Sequence, residues 1–294
     1  MTAYGFHGVF VRWTGLEGQE TVIVLWRGLI GFALITLIAV AARKTGEFKI
    51  KGHYLLLILC GASVTIQTYS GVRAINLLPL SDAIFIIYLA PVLIALFAPL
   101  VLKEKLEGKT VAALGFAITG LAAISFIGND VSGGSDSLKG IGFAVMSAVS
   151  YAVLVLTVKY LRDSMSSLAI FFYQSIVMIA LILPVAGWRP PPLDAGQWGS
   201  LFVIGAVHSA LLPMIYLVVI KRVKAQHMGV LSYIDPLAST LFAWLLLSEV
   251  PGWENFLGGA LIITAGMIIL FSSDVRKGDE LPLAGVSVSP AKLE

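Results

Sequence analysis

Inside a long apolar run, a charged or hydrogen-bonding side chain must meet a partner or face a polar space. The sequence has five such side chains. Asp235 lies in "YIDPLASTLFAWLLLSE" (233–249), Arg27 lies in "VLWRGLIGF", and Gln67, Gln174 and His208 each interrupt another apolar stretch. A carboxylate, a guanidinium, two amides and an imidazole can orient a polar solute or carry a proton. Prolines add acceptors, because Pro91 and Pro236 each remove the hydrogen bond that would reach the carbonyl four residues earlier, at Ile87 and Ser232. Beside them, Tyr88 and Tyr233 offer a hydroxyl and a ring. Each of these residues also has a plainer reading. Arg27 contacts substrate or a counter-ion, or makes a structural hydrogen bond; the glutamines bind solute or join helices; the prolines expose acceptors or simply kink.

The composition explains why these residues stand out. With 58% hydrophobic and 13% charged residues, the chain is far more apolar than a soluble domain. Apolar runs of about 20 residues, enough to cross a bilayer, cover roughly 21–42, 54–74, 82–101, 109–127, 140–160, 166–187, 197–218, 228–247 and 256–273. A further apolar segment, 1–14, is short. Taking each span's centre as the midplane, Arg27, Gln67, Gln174, His208 and Asp235 fall at a common depth on five different helices. The net charge of +3 is too small and dispersed for nucleic acid, so the partner expected from composition is the lipid bilayer, with a homodimer compatible.

The basic residues orient the chain. With residue 1 inside, the inner segments hold Arg43, Lys44, Lys49, Lys51, Lys103, Lys105, Lys109, Lys159, Arg162, Lys221, Arg222, Lys224, Arg276, Lys277 and Lys292. The outer segments hold only Arg12, Arg73, Lys139 and Arg189. Positive residues accumulate on the cytoplasmic side, so both termini are expected there, in an inner or plasma membrane. That requires an even number of crossings, and residues 1–14 must supply the tenth.

An internal repeat supports ten. A shift of 145 places Tyr88 on Tyr233, Pro91 on Pro236, Phe97 on Phe242 and Glu104 on Glu249, with 13 of 56 positions identical between 71–126 and 216–271. A shift of 147 aligns the two beginnings and places Arg27 on Gln174. Five spans per half make the halves face opposite ways, the inverted repeat of secondary transporters, whose substrate sites lie near the midplane between halves. The expected units are 1–128, a linker at 129–139, 140–274, and a polar tail at 275–294.

The segment "LSYIDPLASTLFAWLLLSEVPGWENFLGGALIITAGMIIL" (231–270) and its twin "IIYLAPVLIALFAPLVLKEKLEGKTVAALGFAITGLAAI" (86–124) resemble the hallmark segments of EamA-type members of the drug/metabolite transporter superfamily. Arg27 resembles the arginine common early in that family's second helix. The resemblance implies an all-α membrane protein of ten helices that moves small metabolites, often exporting amino acids or drug-like compounds, usually without ATP. One departure stands out. The eight residues Gly140 to Ser147 have no counterpart before Met1, and eight residues are about 12 Å of helix. The first helix is therefore expected to be a half-span, or the start to be misassigned or truncated.

Other residues read plainly. Glu104 and Glu249 suit helix ends; Gly115, Gly120, Gly258, Gly259 and Gly266 suit close packing; His7, His53 and His227 lie near interfaces without a special role; Cys60 suits apolar packing. Neither paired-His nor Gly-x-Ser-x-Gly nor Walker A spacing occurs, so no catalytic site, metal or cofactor is expected. The rivals to a transporter are a channel or accessory scaffold and, behind them, an intramembrane enzyme.

The charge asymmetry makes a direct prediction. With Cys60 replaced by Ala, Ser135→Cys should react with a membrane-impermeant thiol reagent on intact cells and Ser164→Cys only after permeabilisation. The opposite pattern reverses the orientation.

Overall fold

The computed structural model describes residues 6–48, 52–78, 80–102, 108–126, 135–187, 192–219, 234–247 and 253–272. Among these the chain is helical and makes ten passages. The first is short, α1 (His7–Trp13). Next come α2 (Glu20–Ala41) and α3 (Tyr54–Leu77). The fourth passage is broken into α4 (Leu80–Ile87) and α5 (Ala90–Leu102). It is followed by α6 (Gly108–Phe126), α7 (Ser135–Leu161) and α8 (Ser167–Ala186). The eighth combines α9 (Ala195–Val203), a π-helical stretch (Ile204–Leu211) and α10 (Leu212–Val219). The last two are α11 (Ile234–Leu247) and α12 (Trp253–Ser272). Among the described residues, five helices are long and apolar enough to cross a membrane: Glu20–Ala41, Tyr54–Leu77, Leu138–Leu161, Ser167–Ala186 and Ala195–Ile215.

Local chemistry sets the ends and breaks. Ser166 accepts a hydrogen bond from the Ala169 N–H and so caps α8, while Asp194 and Gln197 form a reciprocal capping box at the start of α9. The fourth passage breaks one turn before Pro91: the Leu89 N–H reaches only to Ile86, a tightened turn, and Pro91 has no N–H for the Ile87 carbonyl. Pro236 lies on α11. The segment ahead of it, with Tyr233, lies outside the described residues, as do Glu104 and Glu249.

The packing pattern carries the repeat. Exchange of the two halves turns passage 1 into 6, 2 into 7, 3 into 8, 4 into 9 and 5 into 10. The pairs α2 with α8 and α6 with α12 map onto themselves. The pair α3 with α7 maps onto the π stretch and α9 against α1, and the fourth passage on α7 maps onto α11 on α1. Two helix sets of like sequence thus pack as an inverted pair. In lipid, such contacts rest on close packing of small residues rather than on burial from water.

Of the glycines expected at close contacts, one departs. Gly115 is exposed, with open space where a Cβ would stand. The buried face of α6 instead runs through Ala113, Ala117 and Gly120, one helical stripe, against α12, where Gly258, Gly259 and Ala265 are buried. A tighter contact joins α3 to α8: a Cβ on Gly61 would fall 2.3 Å from the Val177 Cβ. Cys60 beside it is fully buried, in keeping with apolar packing.

A polar clamp holds the far ends of α2 and α3 together. The Glu20 carboxylate, 3% exposed, accepts hydrogen bonds from Arg73 at 2.8 Å and Asn76 at 2.9 Å on the same oxygen. Gly61→Ala should overpack the α3–α8 contact and cost about 1–3 kcal/mol. Thermal unfolding in detergent should show a lowered midpoint for that variant, and Gly115→Ala should melt like the wild type.

Candidate functional site

The second, seventh and eighth passages meet where a polar cluster is buried. Arg27 extends from α2 and donates from Nε to the Ser209 Oγ at 2.7 Å. Its Nη1 stands 3.3 Å from Nε2 of His7. A guanidinium has only donors, so Nε2 of His7 accepts and the His7 proton sits on Nδ1. His7 in turn packs edge-on against His208, with ring centroids 5.3 Å apart. The reading of His7 as an interface residue without a role is therefore corrected: the short α1 carries it inward to the guanidinium.

The eighth passage widens to receive this group. Pro213 lacks an N–H and its ring would clash with the Ser209 carbonyl, so the preceding turns open and the Leu212 N–H reaches back five residues to Val207. The widened stretch presents His208 and Ser209, 2% and 7% exposed. Gly31 allows the approach, because a Cβ there would lie 3.0 Å from the Ser209 carbonyl oxygen.

Gln174 of α8 completes the arrangement. It is 8% exposed, and its Oε1 has no hydrogen-bond partner. Together with Arg27, Ser175, His208, Ser209 and Pro213, it lines a cavity of about 40 Å³, closed on its apolar side by Met178 and Phe171. That volume suits a water or a single small polar group, not a metabolite. The pair Arg27 and Gln174, equivalent in the repeat, thus faces one space from opposite halves.

The remaining sequence candidates lie elsewhere. Gln67 is half-buried on α3, where its carbonyl accepts from Ser147 of α7 at 3.0 Å and its side chain from Thr68 at 3.3 Å. Asp235, 5% exposed, does not pair with Arg27: its carboxylate accepts a hydrogen bond from the Tyr88 hydroxyl, and Oδ1 has no hydrogen-bond partner. Tyr88 stands at the break of the fourth passage and Pro91 is buried just beyond. The candidates therefore form two groups. Between them lies α1, whose Phe6 side stacks on Phe242 of α11 at 3.4 Å and whose His7 side meets Arg27. Ser209 and the Glu20 clamp were invisible in the sequence, since a serine or a terminal acid in an apolar run carries no spacing signal.

No three His, Cys, Asp or Glu residues among those described are placed to hold a metal ion. The model of the EamA-like transporter family matches residues 1–126 and 138–271. The chain belongs to the EamA-like transporter family. As an EamA-type protein it is a membrane transporter of the drug/metabolite superfamily. It is 26% identical over 265 residues to an uncharacterized transporter of Archaeoglobus fulgidus, covering 90% of this chain and 91% of that one. It is 27% identical over 259 residues to the pseudopaline exporter CntI of Pseudomonas aeruginosa, covering 87% of each. A crystal structure superposes with a TM-score of 0.72 at 19% identity over 92% of this chain and 96% of the other, which shows a shared fold.

The cluster predicts a graded response. Ser209→Ala leaves the Arg27 Nε without its acceptor and should cost about 1.5–3 kcal/mol, the range for hydrogen bonds to charged groups. Thermal unfolding in detergent should show that loss, and Ser209→Thr, which keeps the hydroxyl, should recover part of it.

Proposed function

We propose that the chain is a secondary transporter that exports small polar or amphipathic metabolites by alternating access, with proton coupling and without ATP. The observation that carries this reading is the cavity joining the halves at Arg27, Gln174, His208 and Ser209. Its polar lining can orient a solute, while its 40 Å³ is far below the roughly 300–1,000 Å³ of small-molecule sites. A site too small for its ligand has to widen before it can load. The halves must move apart to load it, and the inverted repeat supplies two equivalent ways of opening.

The substrate class follows from the lining. Arg27 suits a carboxylate or phosphate, the Gln174 acceptor suits an N–H or O–H, and Met178 and Phe171 suit an apolar portion. Export agrees with the function named for the pseudopaline exporter. The sites are Arg27, Gln174 and His208 first, with Gln67, Tyr88, Pro91, Tyr233, Asp235 and Pro236 along the moving parts. In this reading residues 1–128 and 140–274 are the two moving halves in a plasma or inner membrane, with both ends cytoplasmic, and two copies can pair side by side.

Flux into proteoliposomes, tested on a panel of amino acids and amphipathic metabolites with and without a pH gradient, tests the proposal. Saturable flux of at least one compound that responds to the gradient is expected. Gln174→Leu, which keeps the volume and removes the acceptor, should weaken its apparent affinity about 5- to 150-fold, the equivalent of an unmet hydrogen bond of about 1–3 kcal/mol. Flux that rises linearly without saturation would establish a channel instead.

A further inference from the structure

Two aromatic contacts that cross from one half to the other stand beside the cavity. Trp26 precedes Arg27 on α2, and its ring meets that of Trp198 on α9 edge-on, with centroids 5.0 Å apart. Tyr173 precedes Gln174 on α8, and its hydroxyl donates to the Phe48 carbonyl at 2.7 Å. The repeat relates the two. The alignment that places Arg27 on Gln174 also places Trp26 on Tyr173. Each ring reaches the stretch that follows the other's helix, since Phe48 comes after α2 and Trp198 after α8.

Each contact is reinforced. On the Tyr173 side, Phe48 stacks on Phe172 with centroids 4.2 Å apart, and Phe172 also meets Phe32 of α2 at 5.2 Å. On the Trp26 side, Nε2 of Gln197 donates to the Thr14 carbonyl at 2.9 Å, while its Oε1 accepts from the Asp194 N–H at 3.0 Å. Gly15 makes room for that amide: its φ of 61° is left-handed, and a Cβ there would stand 3.0 Å from the Gln197 Nε2. One set therefore ties down the segment that leaves α2 and the other the segment that enters it. The two stand at opposite ends of one membrane-crossing helix, with Arg27 between them.

We infer that Tyr173 and Trp26 are the paired gate residues of transport, each closing the mouth of the cavity toward one face of the membrane. This deepens the transporter reading above and rests on it. A cavity of about 40 Å³ loads only by widening, and alternating access widens it toward one face at a time. Parting Tyr173 from Phe48 frees the segment beyond α2 and opens that mouth, while Trp26 on Trp198 keeps the other shut. Exchange of the halves gives the opposite state. Each gate residue adjoins a side chain of the cavity wall, so a solute that draws on Arg27 or Gln174 shifts the backbone that carries the ring. The mouths differ in chemistry: a phenol hydroxyl on a carbonyl holds one, and two indoles with an amide hold the other.

The test needs no substrate. In the full chain with Cys60→Ala, Ser175→Cys places a single thiol on the cavity wall, at a position 6% exposed. Labelling by a charged, membrane-impermeant thiol reagent is timed from each face, on right-side-out and inside-out vesicles. Tyr173→Phe should speed labelling about 2- to 10-fold from one face, and Trp26→Leu by a similar factor from the other, the factor that one hydrogen bond or ring pair supplies. A merely loosened fold would speed both faces together. Equal acceleration from both faces therefore overturns the inference, as does acceleration from the same face in the two variants or an unchanged rate in either. Should Trp26→Leu fail to fold, Gln197→Glu, which keeps the capping oxygen and removes the donor to Thr14, replaces it under the same criteria. Labelling reads the mouths and the flux panel reads the solute. An unsaturable panel leaves the gates standing, and unmoved labelling leaves the transporter standing.

Discussion

A guanidinium in the interior of a bilayer protein has to be solvated by the protein itself, and much of this structure is arranged around that requirement at Arg27. Its Nε needs an acceptor, supplied by Ser209; its Nη1 needs another, supplied by His7. Ser209 can come near only because Gly31 has no side chain and because the eighth passage loosens ahead of Pro213. His7 can come near only because α1 is held inward among the eighth, ninth and second passages. Ser209, His7, Gly31, the widened turn and the inward α1 thus serve one electrostatic requirement.

The two halves answer the same need unequally. The position equivalent to Arg27 holds Gln174, which keeps a polar group at that level without a second charge. Two guanidiniums around 40 Å³ would repel strongly at low dielectric. The fourth and ninth passages differ in the same way: Asp235 precedes Pro236 in the second half, where the first half has Ala90 before Pro91. Symmetry sets the helices' mutual packing, and the departures from it concentrate polar chemistry in the second half.

The helical passages were legible because hydrocarbon leaves the chain one solution for its backbone, so apolar length alone announces each crossing. The short α1 was legible from the missing counterpart of Gly140 to Ser147. Arg27, Gln174 and His208 were legible as polar interruptions, and the structure does bring them to one cavity. What could not be read was direction around each helix axis. Gln67 has the same sequence signature as Gln174, yet its side-chain oxygen accepts from the neighbouring Thr68 hydroxyl and does not line the cavity. Asp235 and Arg27, opposite charges expected at one depth, point to different neighbours. His7 gave no signal because its significance depends on how far a seven-residue helix is inserted, and Gly115 misled because a small residue marks close packing only on the face that packs.

The Glu20 clamp has a mechanical consequence. Since Glu20, Arg73 and Asn76 belong to consecutive passages of one half, their bonds fasten α2 to α3 at one end, while along their lengths α2 packs on α8, and α3 on α7 and α8, of the other half. A helix of 24 residues is about 36 Å long. Pivoting near one end by ~10° then sweeps the other through ~6 Å, enough to uncover a passage the width of a small solute with scarcely any change in shape at the fulcrum.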